Sequence, residues 1–156
     1  MLKKKFKSIF ILICAIIIAE KSFSIEPNIF VQSTVNRASQ ILSEDTSKNE
    51  KIDKLKVIAK ETVDIRGIGF YTLGKYRKTL DDIQKDKYSE LFYEYFLKSF
   101  SSRLSEYSNP KIDVQSQEKL NENYTIVSSI LVATETRPEV KIQWRIYTKN
   151  PEKPLI

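Results

Sequence analysis

Apolar and polar positions alternate with three different rhythms along this chain. The first is no rhythm at all. Ile9 to Ala19 is an unbroken apolar run of eleven residues, preceded by Lys3, Lys4, Lys5 and Lys7. Glu20-Lys21 closes it, and Ser22-Phe23-Ser24 places small residues at the two positions a signal peptidase reads. The run falls short of the roughly 20 apolar residues that span a bilayer. A basic start, a short apolar core and a small-x-small site make a secretory signal peptide. The pattern predicts a leader over 1–24 and a single working domain over 25–156, outside the cytoplasm.

The second rhythm is helical. Pro27 suits a first helical position, and Phe30, Val31, Val35, Ala38, Ile41 and Leu42 follow at helical spacing. Glu44 to Asn49 is a polar connection, in which Ser47 and Glu50 fit a capping box. Ile52, Leu55, Ile58 and Ala59 mark the face of a second helix. Asp64 is placed to cap a short third helix carrying Ile65, Ile68 and Leu73, and Gly74 to end it in the left-handed conformation. Thr79, with Asp82 three residues on, predicts the next cap. From Leu80 to Tyr107 neither Gly nor Pro intervenes, which predicts one long helix of about seven turns. Ile83, Leu91, Phe92, Tyr95 and Phe96 lie on one side of it, and Tyr93, Leu97, Phe100 and Leu104 on another. A helix apolar over so much of its girth calls for partners on two sides.

Asn109-Pro110 ends that helix, and the period falls from 3.6 to 2. Lys111 to Lys119 alternates weakly through Ile112 and Val114. Tyr124 to Thr134 is apolar on both faces, with Ile126, Ile130 and Val132 on one and Val127, Leu131 and Ala133 on the other. Val140 to Tyr147 alternates cleanly: Val140, Ile142, Trp144 and Ile146 against Lys141, Gln143 and Arg145. Short connections favour an antiparallel meander. Helices followed by strands predict an α+β fold, the helices packed on one face of the sheet. After a turn-like Asn150 to Pro154, Leu155-Ile156 reads as the start of a further strand.

Composition removes several functions. The chain has 26 basic and 20 acidic residues, but five of the lysines and only one acid, Glu20, belong to the leader. The remainder is close to balance, so net charge gives no support to nucleic-acid binding. The single cysteine, Cys14, lies in the leader behind Ile13, where a lipoprotein signal would want a small residue. The domain over 25–156 thus has no thiol for a disulfide or a nucleophile. No histidine occurs anywhere, which excludes a Ser-His-Asp triad and every His-ligated zinc site. Gly67-Ile68-Gly69 is not followed by the lysine of a phosphate loop; loose helix packing and a helix stop account for the three glycines. No cofactor or metal is called for.

Two adjoining stretches resemble one family. Asp64-Ile-Arg-Gly-Ile-Gly-Phe-Tyr-Thr-Leu73-Gly74-Lys75-Tyr76-Arg77 has an Asp, nine residues to Leu-Gly, then an aromatic and a basic residue. Gln84 through Tyr107 carries a run of Phe, Tyr and Leu that closes in Leu104-x-x-Tyr107. Together with the early Pro27-x-x-Phe30-Val31, these resemble the MlaC (toluene-tolerance, ABC-transporter auxiliary) family. The resemblance implies a periplasmic protein that holds phospholipid in an apolar cavity between helices and a curved sheet. It implies exchange between an outer-membrane lipoprotein complex and an inner-membrane ABC transporter complex, without catalysis. Gly67 and Gly69 depart from the family, which more often has helix formers there, as does Phe70, where a basic residue is common. The family also continues with another strand and a last helix where this chain stops, so the resemblance implies a domain lacking those two elements.

Independently of the resemblance, a water-soluble carrier must offer acyl chains a continuous apolar wall. The candidate lining comprises Phe70, Leu73 and Tyr76 from the signature stretch and Phe92, Phe96 and Phe100 from the long helix. From the strands come Ile126, Ile130, Val132, Val140, Ile142, Trp144 and Ile146. Ordinary core packing is the competing reading for each residue singly. Two other functions stand beside the carrier. One is a pocket enzyme using Asp64 or Asp113 as an acid, against which Asp64 reads better as a helix cap. The other is a protein-binding module docking through Lys141, Gln143 and Arg145. N-terminal sequencing of the exported protein checks the leader: the expected first residue is Ile25, and a membrane-embedded product that keeps Met1 contradicts it.

Overall fold

The computed structural model describes residues 24–156; the leader predicted over 1–24 lies outside these residues except for Ser24. Helix α1 (Pro27–Ser43) opens with Glu26 as N-cap and Pro27 in its first turn, where an absent N–H leaves no hydrogen bond unmade. Helix α2 (Lys48–Thr62) has the predicted capping box. The Glu50 carboxylate accepts the Ser47 N–H at 2.9 Å, and the Ser47 hydroxyl accepts the Glu50 N–H at 3.3 Å. The Ser47 N–H, and after it the Ser47 hydroxyl, hold the Glu50 carboxyl below its ordinary range. Helix α3 (Ile65–Thr72) is capped by Asp64, whose Oδ1 accepts the Gly67 N–H at 2.9 Å.

Gly74 takes the expected left-handed conformation, with φ +53°. The chain then winds through a 3-10 turn, Gly74–Lys78, whose C-cap is Thr79. The Thr79 hydroxyl donates to the Tyr76 carbonyl, so it serves the turn rather than the next helix. The box that starts α4 (Asp82–Leu104) is formed by Asp81 and Gln84, two residues beyond the predicted cap. Among the described residues no helix is long and apolar enough to cross a membrane.

Strands β1 (Ile112–Lys119), β2 (Tyr124–Leu131) and β3 (Val140–Tyr147) form the predicted antiparallel meander in that order. A bulge in β1 lies between Val114 and Ser116. Helix α1 lies on β1 and β2, α2 packs on α1 and α4, and α3 packs on α4. The fold is the α+β arrangement expected. The register of β2 against β3 pairs Val127 with Trp144, Ser129 with Ile142 and Thr125 with Ile146. Residues directly opposite each other share a face, so β2 turns Val127 and Leu131 toward the helices.

Two apolar clusters join these layers. Val31 and Val35 of α1 meet Val127 and Ile146 of the sheet, all buried. Ala59, Val63, Ile65 and Leu97 form the second, with Phe92, Phe96 and Phe100 packed against it. Ile156 packs against both. Its N–H donates to the Thr62 carbonyl at 2.8 Å, and its carbonyl accepts the Asp64 N–H at 2.9 Å. Leu155 pairs with Tyr147 in an antiparallel bridge, which fits the strand-like reading of Leu155-Ile156.

Helix α4 departs from expectation on one flank. Phe92 and Phe96 are half-buried, in a ladder Tyr88, Phe92, Phe96, Phe100 with successive centroids 5.9, 6.2 and 5.3 Å apart. Ile83, Leu91 and Tyr95, predicted to share their side, are exposed. The i, i+4 spacing sets the ladder on one line, and these three residues stand off it toward solvent. Gly69 is not loose packing either. A Cβ there would lie 2.9 Å from Cδ1 of Phe92, so the glycine permits the close crossing of α3 over α4. Gly69→Ala is expected to lower stability by about 1–2 kcal/mol, the overpacking penalty exceeding the helix-propensity gain. Gly74→Ala, with open space around its Cβ, should lose about 1 kcal/mol through backbone strain alone. Urea unfolding of both variants checks this, and a neutral Gly69→Ala contradicts the close crossing.

Candidate functional site

Between the two clusters the side chains leave a cavity of about 160 Å³. Helix α1 contributes Thr34, Val35, Ala38, Ser39 and Leu42 to its wall, and α2 contributes Leu55, Ile58, Ala59 and Thr62. Phe100 and Leu104 come from α4, with Tyr107 and Pro110 just beyond it. Ile112, Leu131, Ile142 and Trp144 form the sheet side, and Val63 and Ile156 complete the lining.

The wall is mostly apolar, and several of its polar groups are engaged elsewhere. The Thr34 hydroxyl donates to the Phe30 carbonyl at 2.8 Å, and the Thr62 hydroxyl to the Ile58 carbonyl at 2.7 Å, each within its own helix. The Trp144 Nε1–H donates to the Ser129 hydroxyl at 2.8 Å. Among the described residues no carboxylate, amine or guanidinium lines the cavity. A ligand held there gains from burial and finds no ionic anchor, which is the character of a hydrocarbon site.

Of the predicted lining, Phe100, Ile142 and Trp144 reach this cavity. Ile146 faces the same side of the sheet but is wholly buried in the first cluster. Leu73 is buried, and Phe70 lies half-buried beneath the Arg66 guanidinium. Phe92 and Phe96 support the second cluster. Tyr76 is exposed in the 3-10 turn.

The strand residues need a correction. Ile126 stands between Glu118 and Arg145, and Ile130 between Asp113 and Lys141, on the sheet face away from α1. Val132 follows the end of β2 and is exposed, as is Val140 at the start of β3. Both faces of β2 are apolar in sequence, so only the pairing with β3 decides which one turns inward. The contributions of α1 and α2, above all Ala38, Ile58 and Ala59, fall outside the lining expected from sequence. Their helical periodicity marks them as apolar, and nothing local distinguishes a cavity wall from core. The candidate acids lie outside the cavity: Asp64 caps α3, and Asp113 is exposed on β1.

The family model for MlaC protein matches residues 32–156. No curated protein matches the chain. Among solved structures it is similar to the phospholipid-binding protein from Ralstonia solanacearum, determined in complex with a phospholipid. The two align with a TM-score of 0.67 and 11% identity, over 84% of this chain and 75% of that one. At this identity the likeness is one of fold.

Because Ala38 faces open space in the cavity wall, Ala38→Leu should leave stability unchanged or raise it by up to about 1 kcal/mol, as cavity-filling substitutions do. Insertion into a filled core would instead cost about 1–3 kcal/mol. Denaturant unfolding separates the two outcomes, and a loss in the latter range argues against the cavity.

Proposed function

This chain belongs to the MlaC family, and from that membership and the apolar cavity we propose that it is a periplasmic phospholipid carrier. The observation that carries the reading is the wall itself: helices and sheet face one another across a gap with no charged residue in its lining. The phospholipid complex of the Ralstonia solanacearum protein, which shares the fold, supports the same ligand class. A wall without a positioned acid or base supports binding rather than catalysis.

Lipid enters acyl chains first. Each CH₂ moved from water to the cavity gains about 0.8 kcal/mol, while the phosphate-bearing end stays in water because the wall holds nothing to pair with it. The gap of about 160 Å³ compares with about 150 Å³ for a cavity that takes benzene. Ligand sites for larger molecules run from about 300 Å³ upward. Loading therefore parts the α1–α2 wall from the sheet. The domain over 25–156 works after removal of its leader, and passes lipid between an outer-membrane lipoprotein complex and an inner-membrane ABC transporter complex. This last step rests on the family resemblance.

Organic extraction and mass spectrometry of the folded protein should yield diacyl phospholipid, and the protein should take labelled lipid from vesicles. Ala38→Leu should weaken uptake about tenfold or more while the protein stays folded, the equivalent of the 1–3 kcal/mol that overpacking costs. A folded wild-type protein with neither extractable lipid nor uptake rejects the carrier reading.

A further inference from the structure

The corner between α3 and α4 has a composition unlike the rest of the surface. Gly74–Lys78 carries Lys75, Arg77 and Lys78 within a single 3-10 turn, and all three are exposed. Among the described residues none of the three forms an ion pair. The neighbouring acids are already engaged. Asp81 caps α4 through the Gln84 N–H, Asp82 pairs with Lys85, and Asp86 pairs with Arg66. Capping leaves the Asp81 charge in place, so the corner presents three unpaired cations against one acid, a net positive excess.

Three large side chains close to them in sequence are exposed. Tyr71 at the end of α3 is 78% exposed, Tyr76 in the turn 60%, and Ile83 in the first turn of α4 83%. The Lys75 ammonium lies 5.5 Å from the Tyr76 ring centroid, so cation and aromatic occupy one spot. The corner is also well supported from below. Leu73 is buried, the Thr72 hydroxyl and the Tyr88 hydroxyl are 2.7 Å apart, and Gly69 lets α3 lie close on Phe92.

We propose that this corner is a membrane-docking surface for anionic phospholipid bilayers. Tyrosine partitions to the headgroup layer, its ring toward the acyl chains and its hydroxyl toward water. Lysine and arginine at a bilayer surface are drawn to anionic lipid with about 1 kcal/mol each. A five-residue turn offers little surface for shaped recognition of a folded protein, whereas a bilayer asks only for charge and interfacial side chains. The proposal goes beyond the carrier reading and does not depend on the cavity. Its residues lie at the end of α3, in the 3-10 turn and in the first turn of α4, and the cavity takes its α4 residues, Phe100 and Leu104, from the other end of that helix.

The test is co-sedimentation of the purified protein with phosphatidylcholine vesicles, with and without phosphatidylglycerol. Binding is expected to the phosphatidylglycerol vesicles, to be weak on phosphatidylcholine alone, and to fall in 1 M salt, where the Debye length is about 3 Å. Replacing all three cations (Lys75→Gln, Arg77→Gln, Lys78→Gln) should reduce partitioning to anionic vesicles about 100-fold, the equivalent of three surface cations. Tyr71→Ser with Tyr76→Ser should reduce it on both vesicle types. Circular dichroism should be unchanged in both variants, since every altered side chain is exposed. Equal binding of wild type and the cation variant overturns the proposal. So does binding to an immobilised acidic polypeptide without binding to vesicles, which would mark the corner as a protein contact. Extractable lipid in the cation variant, retained at the wild-type level, keeps this outcome separate from that of the carrier reading.

Discussion

The helices and the sheet touch through two apolar clusters, one around Val127 and Ile146 and one around Ala59 and Leu97, and the space between them is left unfilled. Protein interiors are ordinarily packed as densely as organic crystals, so a gap lined by Leu, Ile, Val and Phe forgoes dispersion attraction on every side. The fold tolerates this because each cluster closes separately. The buried residues of the first come from α1 and the sheet, and those of the second from α2, α3, α4 and the α2–α3 link. Small residues then set the spacing. Ala38 and Ala59 leave the gap open, where longer side chains would reach across. The hydroxyls of Thr34 and Thr62 are engaged within their own helices, so neither opposes an apolar ligand as an unmet buried polar group would.

The elements that depend on neighbouring residues are legible in the sequence. Proline at the start of α1, the Ser47–Glu50 box and the Asp64 cap all act within one turn, and each stands where its spacing places it. The start of α4 lies two residues past its expected place for a local reason as well: Thr79 and Asp81 are both competent caps, and the 3-10 turn claims the first. What the sequence leaves open depends on distant partners. Val127 and Ile126 are equally good strand residues, and only the pairing of β2 with β3 turns the first inward and strands the second between Glu118 and Arg145. The same holds for the cavity. Phe100 and Trp144 belong to its wall, whereas Phe92 packs on the second cluster and Ile146 is buried in the first, and all four are large, mainly apolar side chains. Hydrophobic pattern finds the apolar set; the gap within it is a property of how two layers meet.

Asp64 shows how the signature stretch contributes to this meeting. Its carboxylate caps α3 through the Gly67 N–H, and its own N–H donates to the Ile156 carbonyl. One residue thus starts a helix and ties that start to a distant segment of the chain. The Thr62 carbonyl accepts the Ile156 N–H at the same junction, so the α2–α3 link and the segment after β3 are joined by two backbone bonds. Both are bonds that any residue at 156 other than proline could make. The side chain is what makes the position specific, because an isoleucine there reaches both clusters and the cavity.

That placement bears on how the gap would widen in the proposed carrier. Moving the α1–α2 wall away from the sheet opens the first cluster, since Val31 and Val35 lie against Val127 and Ile146. The buried residues of the second cluster come from α2, α3, α4 and the link between α2 and α3, and the aromatic ladder of α4 packs against them. Among the described residues, Ile156 alone of the packed hydrophobic side chains belongs to both sides of this division. An entering acyl chain covers the apolar surface that the first cluster uncovers as it opens. Because protein and hydrocarbon bury that surface at a similar gain per area, the exchange is close to balanced before the ligand's own dehydration is counted. On the proposed carrier reading, that dehydration favours the loaded state, and it grows with the length of chain buried.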